Sequence, residues 1–541
     1  MIRPNDPKPP ARARRAMAAT SHPAGVAAAL KVLRSGGNAV DAAIAMNAVM
    51  GVVEPTGCGI GGDLFALVWD QASAKLHGLD ASGRSPAAAS LEAVAGRGRT
   101  EMPVRGAWSI SVPGCVSGWE ALHRRFGTLS WAELLEPAVA AAEQGVAVPP
   151  VIARAWKASE PMLRSSLLAP ETYLPDGKAP EPGDVFRNPR LARTLSQIAD
   201  DGPEAFYRGR IPADIAAHVA RLGGPLAESD FERHRADWVE PIGVSYRGRT
   251  VWQIPPPGQG LTVLSMLAIL DGIDLAGQTP ADRWHLLLEA KKLAYADRAT
   301  WIADPRFAPD RTDELLDPER IRRRRSLIDP DRAMDLPRPT DLGLGPSDTV
   351  YMTVVDEDRN AVSLIQSNYM GFGSGVMAGD LGFMLQNRGC SFSLDPRHPN
   401  RLEPGKRPFH TIIPGFATRN GRPEFCFGVM GGDYQPQGHV AILVGILDVG
   451  LDPQAAGDAL RLEHLASQRP TGRIGEVPPG KGTVIAEPGF LPELRSALEA
   501  KGHIFGEPAI NGGGYQGIWF DPSGDLVGGS ESRKDGLADG F

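Results

Sequence analysis

The sequence predicts a mixed α/β protein in which a mostly helical N-terminal part is followed by a strand-rich C-terminal part. Three observations support this class. Apolar residues recur with helical spacing through 22–53 and 283–302. A β-branched run at 350–355 and an apolar run at 361–367 enclose a polar turn, which predicts a hairpin. More strand candidates lie between helices toward the C-terminus: 382–385, 411–417 and 425–430.

The remaining elements follow in order. Predicted helices share apolar periodicity with glycine or proline at their ends: 22–33, 38–53, much of 115–225, 261–270, 283–302 and 437–447. A glycine-rich segment at 57–62 leads into a strand at 64–69, and another strand is predicted at 243–254. The glycine-rich segment has no Lys-Ser/Thr after it, so a structural turn is favoured over a phosphate loop. Residues 303–347 are rich in Pro, Asp and Arg, which indicates a loosely ordered linker.

Composition limits the classes of function. The chain has 541 residues, 42% of them hydrophobic, and a net charge of −7. This is ordinary globular composition, long enough for two lobes or one large layered unit. A mildly acidic protein is a poor match for nucleic acid or an anionic membrane, so neither partner is expected. The basic run at 320–325 is interpreted as a solvated helix face beside acidic neighbours.

The N-terminus and the cysteines indicate a reducing compartment. Residues 1–20 carry charge and proline without an apolar core, which predicts a flexible tail and no secretory signal. No apolar run is long enough for a membrane span. The four cysteines, Cys58, Cys115, Cys390 and Cys426, show no C-x-x-C spacing, so buried thiols are expected and neither a zinc site nor a redox pair. We predict a cytoplasmic protein.

The predicted hairpin places two hydroxyl groups together. If its turn centres on Asp358, Thr349 lies opposite Ser367, and hydroxyls facing each other across a strand pair can hydrogen-bond. Such pairs are usually structural, but Thr349 stands where a charged linker meets a strand. Cleavage of the Asp348–Thr349 bond would give Thr349 a free α-amine of pKa about 8, able to act as base for its own hydroxyl. The chain has no G-x-S-x-G elbow, which disfavours an ordinary serine hydrolase.

Amide hydrolysis also requires donors for the developing oxyanion. Gly431-Gly432 follows the predicted strand 425–430 and could present two consecutive backbone N–H groups. A simple strand-to-helix turn explains the same pair, and spacing alone does not separate the two interpretations.

Short segments in a fixed order carry a family resemblance. They are GGNAVDAA at 36–43, VEP at 53–55 with GIGG at 59–62, VPG at 112–114 with FG at 126–127, PPP at 255–257, EAK at 289–291 with ADR at 296–298, VVD at 354–356 with NAVS at 360–363, FGSG at 372–375, KRP at 406–408 and GG at 431–432. Together they resemble the γ-glutamyltranspeptidase family from about residue 22 to the C-terminus.

That resemblance implies a four-layer αββα N-terminal-nucleophile hydrolase sandwich. It implies a proenzyme that cleaves itself into a large subunit, 21–348 with its tail, and a small subunit, 349–541. The nucleophile would be Thr349, its hydroxyl partner Ser367, and the oxyanion donors Gly431 and Gly432. The mechanism implied needs no metal and no cofactor. The expected partners are a small-molecule amide and the two subunits of one precursor, with a homodimer of the processed heterodimer left open.

The acyl pocket departs from the glutathione-cleaving members of the family. Leu91 falls at the place of their carboxylate-binding arginine, and Arg84 is a nearby candidate replacement. Ser391 falls at the place of the acidic residue that holds the α-amino group, and Arg388 lies beside it. A buried ammonium needs an anionic partner, so this change predicts a pocket for an anionic or neutral acyl group. The remaining substrate-binding candidates are Tyr369, His410, Thr411 and Asp433.

Several interpretations stay open at this point. The segments 366–373 and 431–439 resemble the branch of the family that includes oxamate amidohydrolase, which acts on a small anionic amide. His410 and His439 fit either a pocket or hydrogen-bonded packing, and Asp433 fits helix N-capping equally well. The main hypothesis is an amidase that works through an acyl-Thr349 ester. The alternatives are a true γ-glutamyltransferase and an unprocessed, inactive binding homologue.

Overall fold

The computed structural model describes residues 8–336, 349–465, 480–509 and 513–541. Two seven-stranded antiparallel sheets lie face to face, and helices cover both outer faces. Apolar side chains from the facing sides, such as Phe65, Tyr351 and Phe416, form the core between the sheets. The predicted four-layer αββα sandwich is confirmed.

The strands form two large sheets and two short pairs. In chain order they are β1 (Ala11–Ala13), β2 (Met17–Thr20), β3 (Asp63–Asp70), β4 (Lys75–Ala81), β5 (Val146–Ala147), β6 (Val185–Phe186), β7 (Asp237–Val239), β8 (Ile242–Tyr246), β9 (Arg249–Gln253), β10 (Val350–Val355), β11 (Ala361–Ser367), β12 (Gly415–Arg419), β13 (Arg422–Val429), β14 (Leu462–His464), β15 (Val484–Ala486), β16 (Tyr515–Phe520), β17 (Leu526–Ser530) and β18 (Leu537–Gly540).

The helices are α1 (Pro23–Arg34), α2 (Ala39–Val53), α3 (Leu91–Ala95), α4 (Cys115–Phe126), α5 (Trp131–Gln144), α6 (Pro150–Ser165), α7 (Ala169–Tyr173), α8 (Pro189–Asp201), α9 (Glu204–Tyr207), α10 (Arg210–Arg221), α11 (Glu228–Arg233), α12 (Gly260–Asp271), α13 (Pro280–Trp301), α14 (Thr312–Leu315), α15 (Pro318–Arg325), α16 (Gln435–Leu447), α17 (Pro453–Asp458) and α18 (Pro492–Ala500). Four short 3-10 helices also occur in the described residues: Ala107–Ser109, Pro175–Gly177, Arg388–Ser391 and Gly432–Tyr434.

Each large sheet contains strands from both parts of the chain, the part before residue 337 and the part after residue 348. Sheet I has the order β18-β2-β10-β11-β3-β4-β7, and sheet II has the order β1-β17-β16-β13-β12-β9-β8. Strands that precede residue 337 pair with strands that follow residue 348 at five places: β18 with β2, β2 with β10, β11 with β3, β1 with β17, and β12 with β9. Neither part of the chain therefore completes a sheet alone.

The first two helices begin where the sequence predicts. His22 caps α1 through its ring Nδ1, which accepts the Ala24 N–H. Asn38 caps α2 in a capping box with Asp41, in which each side chain accepts an N–H of the other residue. These reciprocal bonds satisfy amide groups that a helix start leaves without partners. Both helices pack on sheet I and fix the layer above it.

The glycine-rich segment passes directly beneath the hairpin formed by β10 and β11. A Cβ atom on Gly61 would lie 2.0 Å from the Met384 carbonyl oxygen, and one on Gly62 would lie 2.4 Å from the Ser367 carbonyl oxygen. No larger residue fits there without moving backbone. The glycines therefore serve close packing against the end of β11, as the structural interpretation of the segment expected.

The structure corrects several sequence predictions in the N-terminal and middle regions. Residues 11–20 are not a flexible tail, because β1 and β2 pair into the sheets and β2 is fully buried. The predicted strand 243–254 is the hairpin β8–β9. The predicted strand 382–385 makes only one isolated bridge, between Met377 and Met384. These predictions were wrong because local sequence pattern does not show which distant strands a segment pairs with.

The predicted linker 303–347 is more ordered than its composition indicated. Helices α14 and α15 occupy part of 303–336, while 337–348, including Asp348, lie outside the described residues. The basic run belongs to α15: Arg320 pairs with Asp297 at 2.8 Å, and the Arg325 guanidinium donates to the Ile269 carbonyl oxygen at 2.7 Å. Part of the run thus holds helices together, whereas Arg322 and Arg323 are exposed and Arg323 pairs with Glu319, as the solvated face that was expected.

Helix α13 is buried along most of its length, although the apolar periodicity at 283–302 predicted an amphipathic helix. Residues 285–299 have little solvent exposure, including Glu289 and Lys292, which pair at 2.7 Å. Buried charges need such partners. Among the described residues, no helix combines the length and the apolar character required to cross a lipid bilayer. All four cysteines lie in the described part of the chain, are buried, and form no disulfide.

Candidate active site

The hairpin pairing predicted from the sequence is confirmed. Val350 lies opposite Gln366 in the β10–β11 ladder, which places Thr349 next to Ser367. The Thr349 Oγ1 hydroxyl donates to Ser367 Oγ at 3.2 Å, and both residues are almost fully buried. The hydrogen bond to Ser367 thus orients the Thr349 hydroxyl at the start of β10.

Tyr369 connects this hydroxyl pair to the rest of the site. Its backbone N–H donates to Ser367 Oγ at 2.7 Å. The bond requires a left-handed backbone, with φ of 79°, which is costly for an aromatic residue and is commonly retained at functional sites. The guanidinium of Arg388 stacks on the Tyr369 ring, with its central carbon 3.8 Å from the ring centroid.

Arg388 and Thr411 form the next part of the constellation. Arg388 opens the 3-10 helix Arg388–Ser391, is fully buried, and donates from Nη1 to Thr411 Oγ1 at 2.8 Å. Ser391 closes the same 3-10 helix, also buried, and its carbonyl accepts the Asn400 side-chain amide at 2.6 Å. Contacts in series therefore link the hydroxyl pair to Tyr369, Tyr369 to Arg388, and Arg388 to Thr411. Ser391 lies one turn from Arg388.

The two glycines after β13 adopt backbone conformations that suit glycine. Gly431 has φ of 112° and Gly432 has φ of 56°. Neither amide nitrogen donates a hydrogen bond to an atom of the described residues. Positive φ at two consecutive residues is also the conformation of a tight turn. The backbone conformation therefore fits both interpretations of the glycine pair.

A buried glutamine supports the glycine turn. The Gln259 side-chain amide donates to the Gly432 carbonyl oxygen at 2.8 Å and to the Thr411 carbonyl oxygen at 2.7 Å. Its own oxygen accepts from Arg298 at 2.6 Å, and Arg298 pairs with Asp433 at 2.8 Å. Asp433 is thus an ion-pair partner and not a helix cap, since α16 begins at Gln435 with Tyr434 as its cap residue.

His410 lies beside a buried carboxylate that the sequence reasoning did not single out. Its Nε2 is 3.0 Å from Asp63 Oδ2, and both side chains have no solvent exposure. Burial raises the pKa of Asp63 to about 7, against the opposing effect of Arg388. Burial, with Arg388 and Arg407 nearby, holds the pKa of His410 well below its usual value. His439 instead contacts the Val429 amide and Gln253, as a structural histidine does.

Arg84 is committed to a different cluster. Its guanidinium donates to Asp237 at 2.9 Å and lies 3.8 Å from Asp304. Arg407 also binds Asp237, at 2.5 Å. This placement does not support the hypothesis that Arg84 holds a substrate carboxylate, because its guanidinium already contacts Asp237 and Asp304.

One group of side chains in the described residues has the composition of a metal site. His285, Glu289 and His503 bring candidate ligand atoms within 4.8 Å of one another. The His285 ring nitrogens already contact His503 Nε2 and the Asp329 carbonyl oxygen, each at 2.8 Å, and Glu289 pairs with Lys292. A buried lysine ammonium beside the carboxylate disfavours a cation. Hydrogen-bonded packing accounts for the group.

The residues missed from the sequence share one property. Asp63, Gln259 and Arg298 each act through a partner far along the chain: Asp63 through His410, Gln259 through Gly432, and Arg298 through Asp433. A polar residue at the end of a glycine-rich segment or a proline run is the only local signal that points to the first two. Nothing in the helical pattern around Arg298 indicates its position.

The four-layer fold is that of the N-terminal-nucleophile hydrolases, a class that acts on C–N bonds. The model of the family described as Gamma-glutamyltranspeptidase matches residues 25–541. The chain belongs to that family.

Relatives with different printed activities align with nearly the whole chain. The glutathione hydrolase-like YwrD proenzyme of Bacillus subtilis is 37% identical, over 94% of this chain and 95% of that protein. The oxamate amidohydrolase proenzyme of Klebsiella pneumoniae is also 37% identical, over 97% of this chain and 98% of that protein. The crystal structure of a cephalosporin acylase from Bacillus halodurans superposes with a TM-score of 0.91 at 40% identity, covering 100% of this chain and 99% of that one.

Proposed function

We propose that the chain is a proenzyme that cleaves itself between Asp348 and Thr349 and then hydrolyses small anionic amides through an acyl-Thr349 ester. The observation that carries this proposal is the hydrogen bond of 3.2 Å between the Thr349 and Ser367 hydroxyls, with buried Arg388 in the same constellation through Tyr369. The names of the relatives, proenzymes that include an oxamate amidohydrolase, support the same chemistry.

Self-cleavage follows from the position of the Thr349 hydroxyl. Its Oγ1 attacks the carbonyl carbon of Asp348, the peptide C–N bond breaks, and an ester to Oγ1 forms while the nitrogen takes up the hydroxyl proton. This shift frees the Thr349 α-amine. Water then hydrolyses the ester, which releases the backbone carboxylate of Asp348 and restores the Thr349 hydroxyl. Ser367 orients Oγ1 for the attack through the bond already described.

In the processed enzyme the free α-amine of Thr349 takes the Oγ1 proton as Oγ1 attacks the substrate amide. The negative charge that develops on the carbonyl oxygen is stabilised by the N–H groups of Gly431 and Gly432. The α-ammonium then gives its proton to the leaving nitrogen, so the C–N bond breaks and ammonia or an amine departs. Water enters, attacks the ester with the α-amine as base, and releases the acid.

The charges around the constellation support an anionic acyl group. Arg388 is fully buried against Tyr369 and Thr411. The family resemblance implies that Ser391 falls at the place of the acid that holds the α-ammonium in glutathione-cleaving members. A short carboxylate would meet a guanidinium capable of two parallel hydrogen bonds, whereas an α-ammonium would meet like charge. We assign Arg388 and Thr411 to the substrate anion.

Self-cleavage is tested by intact mass and a denaturing gel. Wild type is expected to yield two chains, 1–348 and 349–541, and Thr349→Ala to remain one chain without activity. The matched control is Thr353→Ala, which removes a buried hydroxyl four residues further along the same strand. Cleavage of Thr349→Ala at the same bond, or an uncut wild type that is active, would contradict the proposal.

The substrate class is tested on the processed enzyme. Oxamate and other short anionic amides should be hydrolysed, while glutathione and γ-glutamyl-p-nitroanilide should be poor substrates. Arg388→Met should raise KM for anionic amides with a smaller effect on a neutral amide. Efficient γ-glutamyl transfer would instead support the transferase alternative. A wild type that stays uncut and hydrolyses no amide would support the unprocessed binding homologue.

A further inference from the structure

We propose that Asp63 is a specificity-determining residue, and that the Asp63–His410 pair takes up one proton when an anionic acyl group occupies the pocket at Arg388. This inference rests on the proposed function, since it presumes that Arg388 receives the substrate anion. It adds a residue and a proton to that binding step.

Asp63 lies directly behind the reacting hydroxyls. It is the first residue of β3 and pairs in register with Ser367, the last residue of β11. Its side chain is fully buried. Its other neighbour, His410, precedes Thr411, whose hydroxyl accepts from Arg388. The carboxyl group therefore shares the pocket wall with the side chains assigned to the substrate anion.

The hydrogen bonds of Asp63 leave one place for a proton. Oδ1 accepts the Gly83 N–H at 2.8 Å and the Gln386 side-chain amide at 2.7 Å. Among the described residues, the hydrogen-bond partner of Oδ2 is the His410 ring nitrogen, at 3.0 Å. The opposite ring nitrogen of His410 has a long contact of 3.4 Å from the Ile412 N–H. With the carboxylate ionised, Nε2–H donates to Oδ2 and Nδ1 accepts from Ile412. An added proton leaves one hydrogen between Oδ2 and Nε2 and one on Nδ1, which releases the long Ile412 contact, so the pair titrates as a unit.

The charges that face the pair come from several elements. Arg388 favours the ionised carboxylate and Asp80 on β4 opposes it. Burial, and then Asp63, raise the pKa of the Cys115 thiol, and burial raises that of Tyr207, so both stay neutral at neutral pH. Arg407 acts on the histidine. Among these, Arg388 is the cation whose field keeps Asp63 ionised most strongly.

An anion bound at Arg388 cancels that field. Without it, a buried carboxylate has lost its main electrostatic support and has a second negative charge close by, so proton binding becomes favourable. The pKa of Asp63, already raised by burial to about 7, then rises further. One proton moves from solvent to the pair as the anion enters, and it leaves again with the anionic product.

The consequence is a pH-dependent affinity that depends on the charge of the ligand. Above neutral pH the Asp63–His410 pair of the free enzyme lacks the proton. An anion then binds only together with a proton from solvent, and the proton concentration falls as pH rises. KM for an anionic amide should then rise by up to about tenfold per pH unit. A neutral amide of the same shape does not cancel the field of Arg388, and its KM should stay nearly constant.

The test compares oxamate with pyruvamide, a neutral amide of similar size, on the processed enzyme across a pH range that spans neutrality. Oxalate, whose binding is measured directly by calorimetry, provides a second anionic probe that needs no turnover. Wild type should show a rising KM for oxamate and a rising dissociation constant for oxalate above neutral pH, and a flat KM for pyruvamide. Asp63→Asn should flatten all three profiles, while Asp80→Asn, a buried acid on the next strand, should keep the slopes.

The outcomes separate this inference from the proposed function. Suppose that neither amide is hydrolysed, but calorimetry shows that oxalate binds with uptake of a proton and with the predicted pH dependence. The proposed amidase function then fails, while the proton linkage between Asp63 and the anion site stands. Equal slopes for oxamate and pyruvamide, a slope that persists in Asp63→Asn, or no oxalate binding at any pH would overturn the linkage. Because wild type alone shows the first contrast, the test does not depend on the folding of a variant.

Discussion

Asp63→Asn should change the stability of the protein in a way that depends on pH. The folded protein raises the pKa of Asp63 from 3.8 to about 7, chiefly by burial. A raised carboxyl pKa means that stability is fully present below the ordinary value of 3.8 and is lost as pH rises through about 7. Asparagine stays neutral and avoids this loss. The difference in free energy of unfolding, variant minus wild type, should therefore grow with pH.

The magnitude follows from the two pKa values. A rise from 3.8 to about 7 corresponds to roughly 4 kcal/mol between the protonated and fully ionised states, at about 1.4 kcal/mol for each tenfold change in proton affinity. Relaxation around a buried group reduces such values, so about 2 to 4 kcal/mol is expected across the range. The asparagine amide facing His410 adds a constant offset, and only the change with pH reports the carboxyl ionisation.

The assay is urea unfolding at several pH values in a Thr349→Ala background, in which the chain is expected to remain a single polypeptide. Glu357→Gln serves as the control, because this carboxylate is half exposed in its pair with Arg15 and exposed pairs contribute little. A difference for Asp63→Asn that is independent of pH, or that falls as pH rises, would refute the assignment of a raised pKa to Asp63.

Two further predictions concern the geometry of the site. Ser367→Ala should lower kcat by about 10- to 100-fold with little change in KM, because it removes the group that orients the nucleophile. The control is Ser363→Ala, equally buried on the same strand, which should keep kcat within about threefold. Gln259→Ala should lower kcat by about 10-fold or more, because it loosens the turn at Gly432. The control is Gln253→Ala, since Gln253 is equally buried. Equal losses of kcat in both variants, measured by steady-state kinetics, would contradict this role of Gln259.

Local chemistry in the sequence was sufficient for much of the frame. The Asn38 capping box and the Asp356–Asn360 turn act over a few residues, so α2 and the β10–β11 register were predictable. The pairing of Thr349 with Ser367 followed from that register.

Long-range partners explain what sequence reasoning missed. The strand β2 is stable only because β10 and β18 flank it, and neither is visible in a run of small residues near the N-terminus. Arg84 looked available because Asp237 lies far along the chain. Asp63 looked like the end of a turn because His410 is 347 residues away. Each error concerns a polar or small residue whose meaning is set by a distant contact.

Because each large sheet combines strands from both parts of the chain, cleavage would change how the protein can refold. Five strand pairs join the part before residue 337 to the part after residue 348, so the proposed cut would not release either part. The same cut would change what unfolding means. The precursor can refold by a first-order search within one chain, but the cleaved protein must bring two incomplete chains together, at a rate that falls on dilution. Maturation would thus be a one-way step, with the native state reached through a covalent connection that the working enzyme no longer has.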